Sequence, residues 1–253
     1  MDKGTVFFPD PHLVGTPGDW GLAYEEVWFQ ASDGVELHGW FAPASAPAEA
    51  PATLLWFHGN AGNISHRLEN LALLHRQVGC AVFLFDYREY GLSGGSITKA
   101  GTFLDAEAAY EEAVERADGG AERLVLFGRS LGTALAVHLA VQKPCAGAIL
   151  EAAFTSTDDM RALYGPFLPP PTPGEVAYDT LSQIEHVSAP VLFIHGTHDA
   201  VIPPAMAQTL YERAREPKRL YWVEGADHND TYWTGGESYF QTIAEFIRTC
   251  TAD

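Results

Sequence analysis

The sequence predicts an α/β fold: a mostly parallel central sheet of eight strands, helices on both faces and antiparallel strands at its N-terminal edge. Three observations carry the prediction. From Thr53 onward, short apolar runs alternate with helix-length segments. Strands apolar throughout must be covered on both faces, which is the mark of a parallel sheet between helical layers. Ahead of that alternation, YEEVWFQ (24–30) and VELHGWF (35–41) flank Ser32-Asp33-Gly34. Aspartate-glycine between two such runs is a hairpin signal. Third, Leu124-Val125-Leu126-Phe127 runs straight into Gly128-Arg129-Ser130-Leu131-Gly132 and then a small-residue, Leu-rich helical pattern.

Taken in order, Val6 to Pro9 and Trp20 read as an apolar arm packed across the domain edge. The hairpin follows, and Ala42 to Ala52 is a Pro/Ala spacer, most simply an exposed loop. Strands are expected at Thr53–Phe57, Ala81–Phe85, Arg123–Phe127, Ala146–Leu150, Val191–Ile194 and Leu220–Val223. Helices are expected at Ser65–Gln77, Ala100–Ala117, from Ser130 to about Gln142, Pro203–Arg215 and Tyr239–Arg248. Residues 1–253 read as one domain. Within it, 152–189 breaks the rhythm, being too long for a simple connection and too rich in proline for one helix. An insertion there lies over the carboxyl ends of the strands, where open α/β sheets bind ligands. It reads as a small cap lined by Phe154, Leu163, Tyr164, Phe167 and Leu168; the bland alternative is an inert proline-rich surface loop.

Composition narrows the function classes. The chain is 47% apolar and 19% charged, with a formal net charge of −18. So acidic a chain argues against nucleic-acid binding, which needs clustered Lys and Arg, and against electrostatic adhesion to anionic lipid. No run of 18 apolar residues offers a spanning helix, and Met1 to Pro9 lacks the apolar core of a secretion signal. Cys80, Cys145 and Cys250 are odd in number and widely spaced, which fits free thiols in a reducing, cytoplasmic setting.

The strand, sharp turn and helix around Ser130 place one hydroxyl at the N-terminal end of a helix, where N–H donors and the helix dipole favour negative charge. A serine hydroxyl needs a base to attack at neutral pH, and the base needs a carboxylate to fix its tautomer. Both follow later strands: Asp199 after Val191–Ile194, and His228 after Leu220–Val223. The order Ser130, Asp199, His228 is that of nucleophile-elbow hydrolases. Two alternatives stand beside it: metal ligation through His195, His198, Asp199 and His228, and Glu151 as the acid in place of a strand-end carboxylate bonded to backbone. No metal or organic cofactor is required by the leading reading.

Acyl transfer also needs donors for an oxyanion. The Leu131 N–H is one; Asn60 in His58-Gly59-Asn60-Ala61-Gly62-Asn63 is the other, with Ala61 as second choice. His58 reads as a turn-stabilising residue. Arg129 orients substrate or, the favoured reading, bridges to a neighbouring carboxylate. Tyr232 and Trp233 wall an acyl or alcohol pocket or pack in the core.

Together HGNAGN (58–63), FDYREYGLSGG (85–95), FGRSLG (127–132), LEAAFTS (150–156), FIHGTHDAVIP (193–203) and GADHND (225–230) span most of the chain. It resembles the α/β-hydrolase superfamily, in particular small carboxylesterases and depalmitoylase-like α/β-hydrolase-domain proteins. The resemblance implies an α/β-hydrolase fold, catalytic roles for Ser130, Asp199 and His228, and a backbone oxyanion hole near Asn60. It implies a small-molecule ester or acyl substrate, with thioesters or peptides as alternatives for the same triad and a non-catalytic binding scaffold as the alternative class. One departure is Glu89, where relatives usually carry glycine.

Overall fold

A computed structural model describes residues 6–46, 51–165 and 176–251. A two-residue strand, β1 (Phe8–Pro9), pairs in parallel with β5 (Ala61–Gly62). Eight further strands form one sheet: β2 (Glu25–Gln30), β3 (Glu36–Ala42), β4 (Thr53–Phe57), β6 (Ala81–Phe85), β7 (Leu124–Arg129), β8 (Gly147–Glu151), β9 (Val191–Gly196) and β10 (Lys218–Val223), in the order β10-β9-β8-β7-β4-β6-β3-β2. Only β2 against β3 and β3 against β6 are antiparallel. The expected eight-stranded, mostly parallel sheet with an antiparallel N-terminal edge is the one observed.

Side-chain alternation along the central strands sets the layers. Leu54 and Trp56 enter one apolar cluster, Leu55 and Phe57 the other. Val125 and Phe127 on β7, and Leu192 and Ile194 on β9, join the first; Leu124, Leu126, Val191 and Phe193 join the second. Every residue of these three strands is buried, which is why they read as unbroken apolar runs. Helices α1 (Leu68–Val78) and α7 (Thr231–Cys250) cover the Leu54 face, and α2 (Lys99–Arg116) and α3 (Leu131–Gln142) cover the Leu55 face. The last helix starts earlier than its apolar pattern suggests and breaks at Gly236 (φ 50°, ψ −136°), so Thr231 to Gly235 form a separate turn just beyond His228.

The 152–189 stretch carries α4 (Thr157–Tyr164) and α5 (Thr180–Ile184), with an antiparallel bridge between Ser156 and Asp179 that joins its two ends. Tyr178 is 1% exposed, packs against Phe103 and Phe154, and shares a 2.7 Å hydrogen bond with Thr102 Oγ1. Both ends of the stretch are thus rooted in the core. Helix α6 (Pro204–Arg213) packs against β9 and α5. Among the described residues no helix is long and apolar enough to cross a membrane.

Candidate active site

Strand β7 delivers Ser130 to the carboxyl edge of the sheet in a conformation few residues adopt (φ 52°, ψ −118°). Such backbone is strained for any residue with a side chain. It is held by Ser130 N donating to Glu151 O at 2.9 Å and by the close crossing of β7, α3 and β4. A Cβ at Gly132 would lie 2.0 Å from Phe57 O, so only glycine lets the helix leave the turn this tightly.

Two further loops meet Ser130 at that edge. His228 Nε2 lies 3.2 Å from Ser130 Oγ, and His228 Nδ1 lies 2.8 Å from Asp199 Oδ2. Asp199 Oδ1 accepts from Val201 N at 2.9 Å and Ile202 N at 2.7 Å. Burial works against the charge on Asp199. Hydrogen bonds from His195 and His228 outweigh it and hold the carboxyl well below the usual carboxylate range. The β9 and β10 loops approach closely because position 196 is glycine; a Cβ there would sit 2.4 Å from Ala226 O. Among the described residues, no group of three or more His, Cys, Asp or Glu side chains is arranged to hold a metal ion.

Loop 58–62 lies beside the serine: a Cβ on Gly59 would stand 3.5 Å from Ser130 Cβ. Its peptides are oriented from below. Tyr87 OH donates to His58 O at 2.9 Å, and Asn60 O accepts from Tyr90 OH at 2.6 Å and Phe8 N at 2.9 Å. Gly59 O lies 2.7 Å from His58 Nδ1. Because C=O and N–H point opposite ways across a trans peptide, the Asn60 and Ala61 N–H groups face away from these anchors. Leu131 opens α3, so its N–H is among those a helix leaves without an internal partner. His58 is fully buried, against Tyr87 and 3.4 Å from Asp86 Oδ1, a structural position. Glu89 occupies the glycine-like conformation of its turn (φ 68°), and its carboxylate accepts from Ile97 N at 2.8 Å.

The structure revises the expectation for Glu151. Among the described residues its carboxylate, fully buried, accepts from side chains and not from backbone: Thr231 Oγ1 on Oε1 and Tyr239 OH on Oε2 at 2.7 Å. Arg129 Nε lies 3.3 Å from Glu151 Oε1, and the same guanidinium donates to His228 O at 2.9 Å. Arg129 therefore bridges to a carboxylate, as favoured from sequence, and also clasps the loop that carries His228.

The expected pocket residues separate. Phe154 is 6% exposed and belongs to the main apolar core. Tyr164 donates its hydroxyl to Val201 O at 2.8 Å and Ala200 O at 3.2 Å, tying α4 to the Asp199 loop. Leu163 is half exposed on the same helix, and Phe167 and Leu168 lie outside the described residues. Trp233 is 65% exposed, so it does not pack in the core; its Nε1 and Tyr232 OH both donate to Glu69 Oε2 at 3.2 Å. Sequence reasoning missed the arm's pairing with Ala61–Gly62, the support from Tyr87 and Tyr90, and His195 beside Asp199. The two tyrosines stand in the FDYREYG run, whose paired aromatics were the available signal.

Comparison with known proteins agrees with this architecture. Residues 50–251 match the family profile described as "Alpha/beta hydrolase domain". The Arabidopsis thaliana protein named "Alpha/beta hydrolase domain-containing protein WAV2" is 37% identical over 251 residues, spanning 92% of this chain and 81% of the relative. The Schizosaccharomyces pombe protein bem46 is 33% identical over 242 residues, spanning 92% and 80%. Among solved structures, the Pyrococcus furiosus esterase Pf2001 superposes with a TM-score of 0.79 at 21% identity, covering 98% of this chain and 99% of its own.

Proposed function

Since the chain belongs to the α/β-hydrolase family, we propose that it is a serine hydrolase that cleaves carboxylic esters of small molecules through an acyl-enzyme. Ser130 is the nucleophile, His228 the general base and acid, and Asp199 the carboxylate that orients the imidazole. The observation that carries this reading is the unbroken contact from Ser130 Oγ through His228 to Asp199 Oδ2, at 3.2 and 2.8 Å, on a strained strand-to-helix turn.

His228 Nε2 takes the Ser130 proton as Oγ bonds to the ester carbonyl carbon. Negative charge passes to the carbonyl oxygen, which the Leu131 N–H and a second N–H from Asn60, or from Ala61, stabilise. Collapse breaks the ester C–O bond, and His228 returns the proton to the departing alcohol. Water then attacks the acyl-serine with His228 again as base, releasing the acid and restoring Ser130. Asp199 stays ionised and stabilises the imidazolium formed on the way.

The test is hydrolysis of short-chain p-nitrophenyl esters by purified protein, with fluorophosphonate labelling located by mass spectrometry. The expected result is label on Ser130 and loss of turnover by several orders of magnitude in Ser130→Ala and in His228→Ala. Wild-type turnover by Ser130→Ala overturns the assignment.

A further inference from the structure

Asp199 has one more neighbour than a relay from Ser130 through His228 requires. Besides the two backbone donors on Oδ1 and His228 on Oδ2, His195 Nε2 lies 3.3 Å from Oδ2. His195 is the penultimate residue of β9 and is fully buried. Its Nε2 also lies 2.9 Å from Ile202 O. A carbonyl oxygen only accepts, so Nε2 must carry the hydrogen, which is then shared between Ile202 O and Asp199 Oδ2. Nδ1 keeps its lone pair and has no partner among the described residues. Trp222 of β10 meets the ring edge-on, with centroids 6.1 Å apart. An apolar side chain could fill this space without stranding Nδ1; what the imidazole adds is the Nε2–H aimed at Asp199.

We infer that His195 is a positioning residue for the reaction, its Nε2–H holding the Asp199 carboxylate in line with His228 and drawing off part of its negative charge. The inference rests on the roles given above to Asp199 and His228. It extends them because the acid is set by a donor on the strand that precedes it as well as by the backbone of its own turn. The other charged groups facing the relay come from different elements. Asp227 of the β10–α7 loop accepts from Ala200 N and His228 N, and Arg129, paired with Glu151, donates to His228 O. A change at position 195 touches neither, so its effect can be read separately.

Removing the His195 donor leaves more negative charge on Asp199 facing His228, which favours protonated His228. The acid limb of the rate profile therefore moves to higher pH, and a less firmly held carboxylate lowers kcat more than it raises KM.

The experiment compares pH profiles of kcat and kcat/KM on p-nitrophenyl butyrate for wild type, His195→Phe, His195→Asn and His195→Gln, each checked by near-UV circular dichroism. Phe has no donor, and an Asn amide falls near the Nδ1 position, short of Asp199; a Gln amide reaches the Nε2 position. His195→Phe and His195→Asn are expected to lose roughly 10- to 100-fold in kcat, with KM within about threefold. Their acid limb should rise by about half a pH unit. His195→Gln should recover most of both. Should the Phe variant fail to fold, the contrast of Asn with Gln decides the question. A folded donor-less variant with wild-type kcat and limb, a loss of kcat with an unmoved limb, or Gln behaving like Asn overturns the inference. Ser130→Ala measured alongside separates the two readings: if it is inactive while the His195 variants match wild type, this inference alone fails. If Ser130→Ala is as active as wild type, both fail.

Discussion

Two carboxylates stand at the ends of neighbouring strands, both shut off from solvent, and they meet different partners. Asp199, just past β9, meets the Nδ1 of an imidazole whose other nitrogen faces Ser130. Glu151, at the end of β8, meets a guanidinium and two hydroxyls. Burial does not separate them. What separates them is whether the partner can pass a proton onward: an imidazole can, whereas an arginine and two hydrogen-bonded hydroxyls cannot at neutral pH. Glu151 is the scaffold's acid. Through its main-chain carbonyl it holds Ser130 N, and through its side chain it holds Arg129, which holds the His228 carbonyl.

The contrast is sharpest under amide substitution. Asp199→Asn should lower kcat/KM on a p-nitrophenyl ester by roughly three to four orders of magnitude, because the imidazole loses its oriented tautomer. Glu151→Gln should reduce activity far less, by about tenfold or under. It should instead cost roughly 3 kcal/mol of stability, or about 6–12 °C in Tm, since it leaves the Arg129 guanidinium buried without its counter-charge. Steady-state kinetics and calorimetry on the same two preparations decide the matter; Glu151→Gln matching Asp199→Asn in lost activity would erase the distinction.

Acid titration makes a smaller difference visible. The Asp199 carboxyl is held below its ordinary range in the folded chain, burial opposing and the His195 and His228 hydrogen bonds prevailing. A depressed folded value means stability that is fully present above the unfolded value of about 3.9 and is lost as pH falls through it toward the folded one. Asparagine at position 199 does not titrate. Wild type should therefore exceed Asp199→Asn by roughly 1 kcal/mol more at pH 7 than at pH 3, measured by denaturant melts at each pH. A gap constant from pH 7 to pH 3 would mean that the native hydrogen bonds to Asp199 do not favour its ionised form.

How much of this was legible beforehand depended on how local the cause is. The turn at Ser130 is written in one stretch: an apolar strand, small residues where strand and helix cross, and a helix that is apolar nearly all round. The meeting of Ser130, Asp199 and His228 follows from the parallel strands β7, β9 and β10 placing their carboxyl ends on one edge, so chain order and strand positions were enough. The partners of Glu151 were not legible. Thr231 and Tyr239 lie 80 and 88 residues further on, and reaching Glu151 depends on how α7 starts and on its break at Gly236. Tyr90 under Asn60 and the arm beside Ala61–Gly62 are of the same kind, contacts between segments that no local pattern joins. The insertion was legible as an interruption but not as a structure, because proline-rich composition says where a helix stops and not what its flanks pack against.

Tyr164 offers the finest test, since sequence placed it against substrate and its hydroxyl is found on the acid loop. Both Ala200 O and Val201 O accept from it, one and two residues beyond Asp199. A side chain that binds substrate acts mainly through KM. One that ties α4 to the Asp199 turn acts through the mobility of that turn, hence through kcat, and modestly, because Val201 N and Ile202 N still hold Oδ1. Tyr164→Phe removes the hydroxyl and keeps the ring. It should lower stability by about 0.5–1 kcal/mol and kcat by roughly two- to fivefold, with KM unchanged. Tyr164→Ala, which also removes the ring, should add a rise in KM only if that ring walls the pocket. A Phe variant with normal kcat and a several-fold higher KM would return Tyr164 to the substrate and leave the α4 tie without a role in turnover.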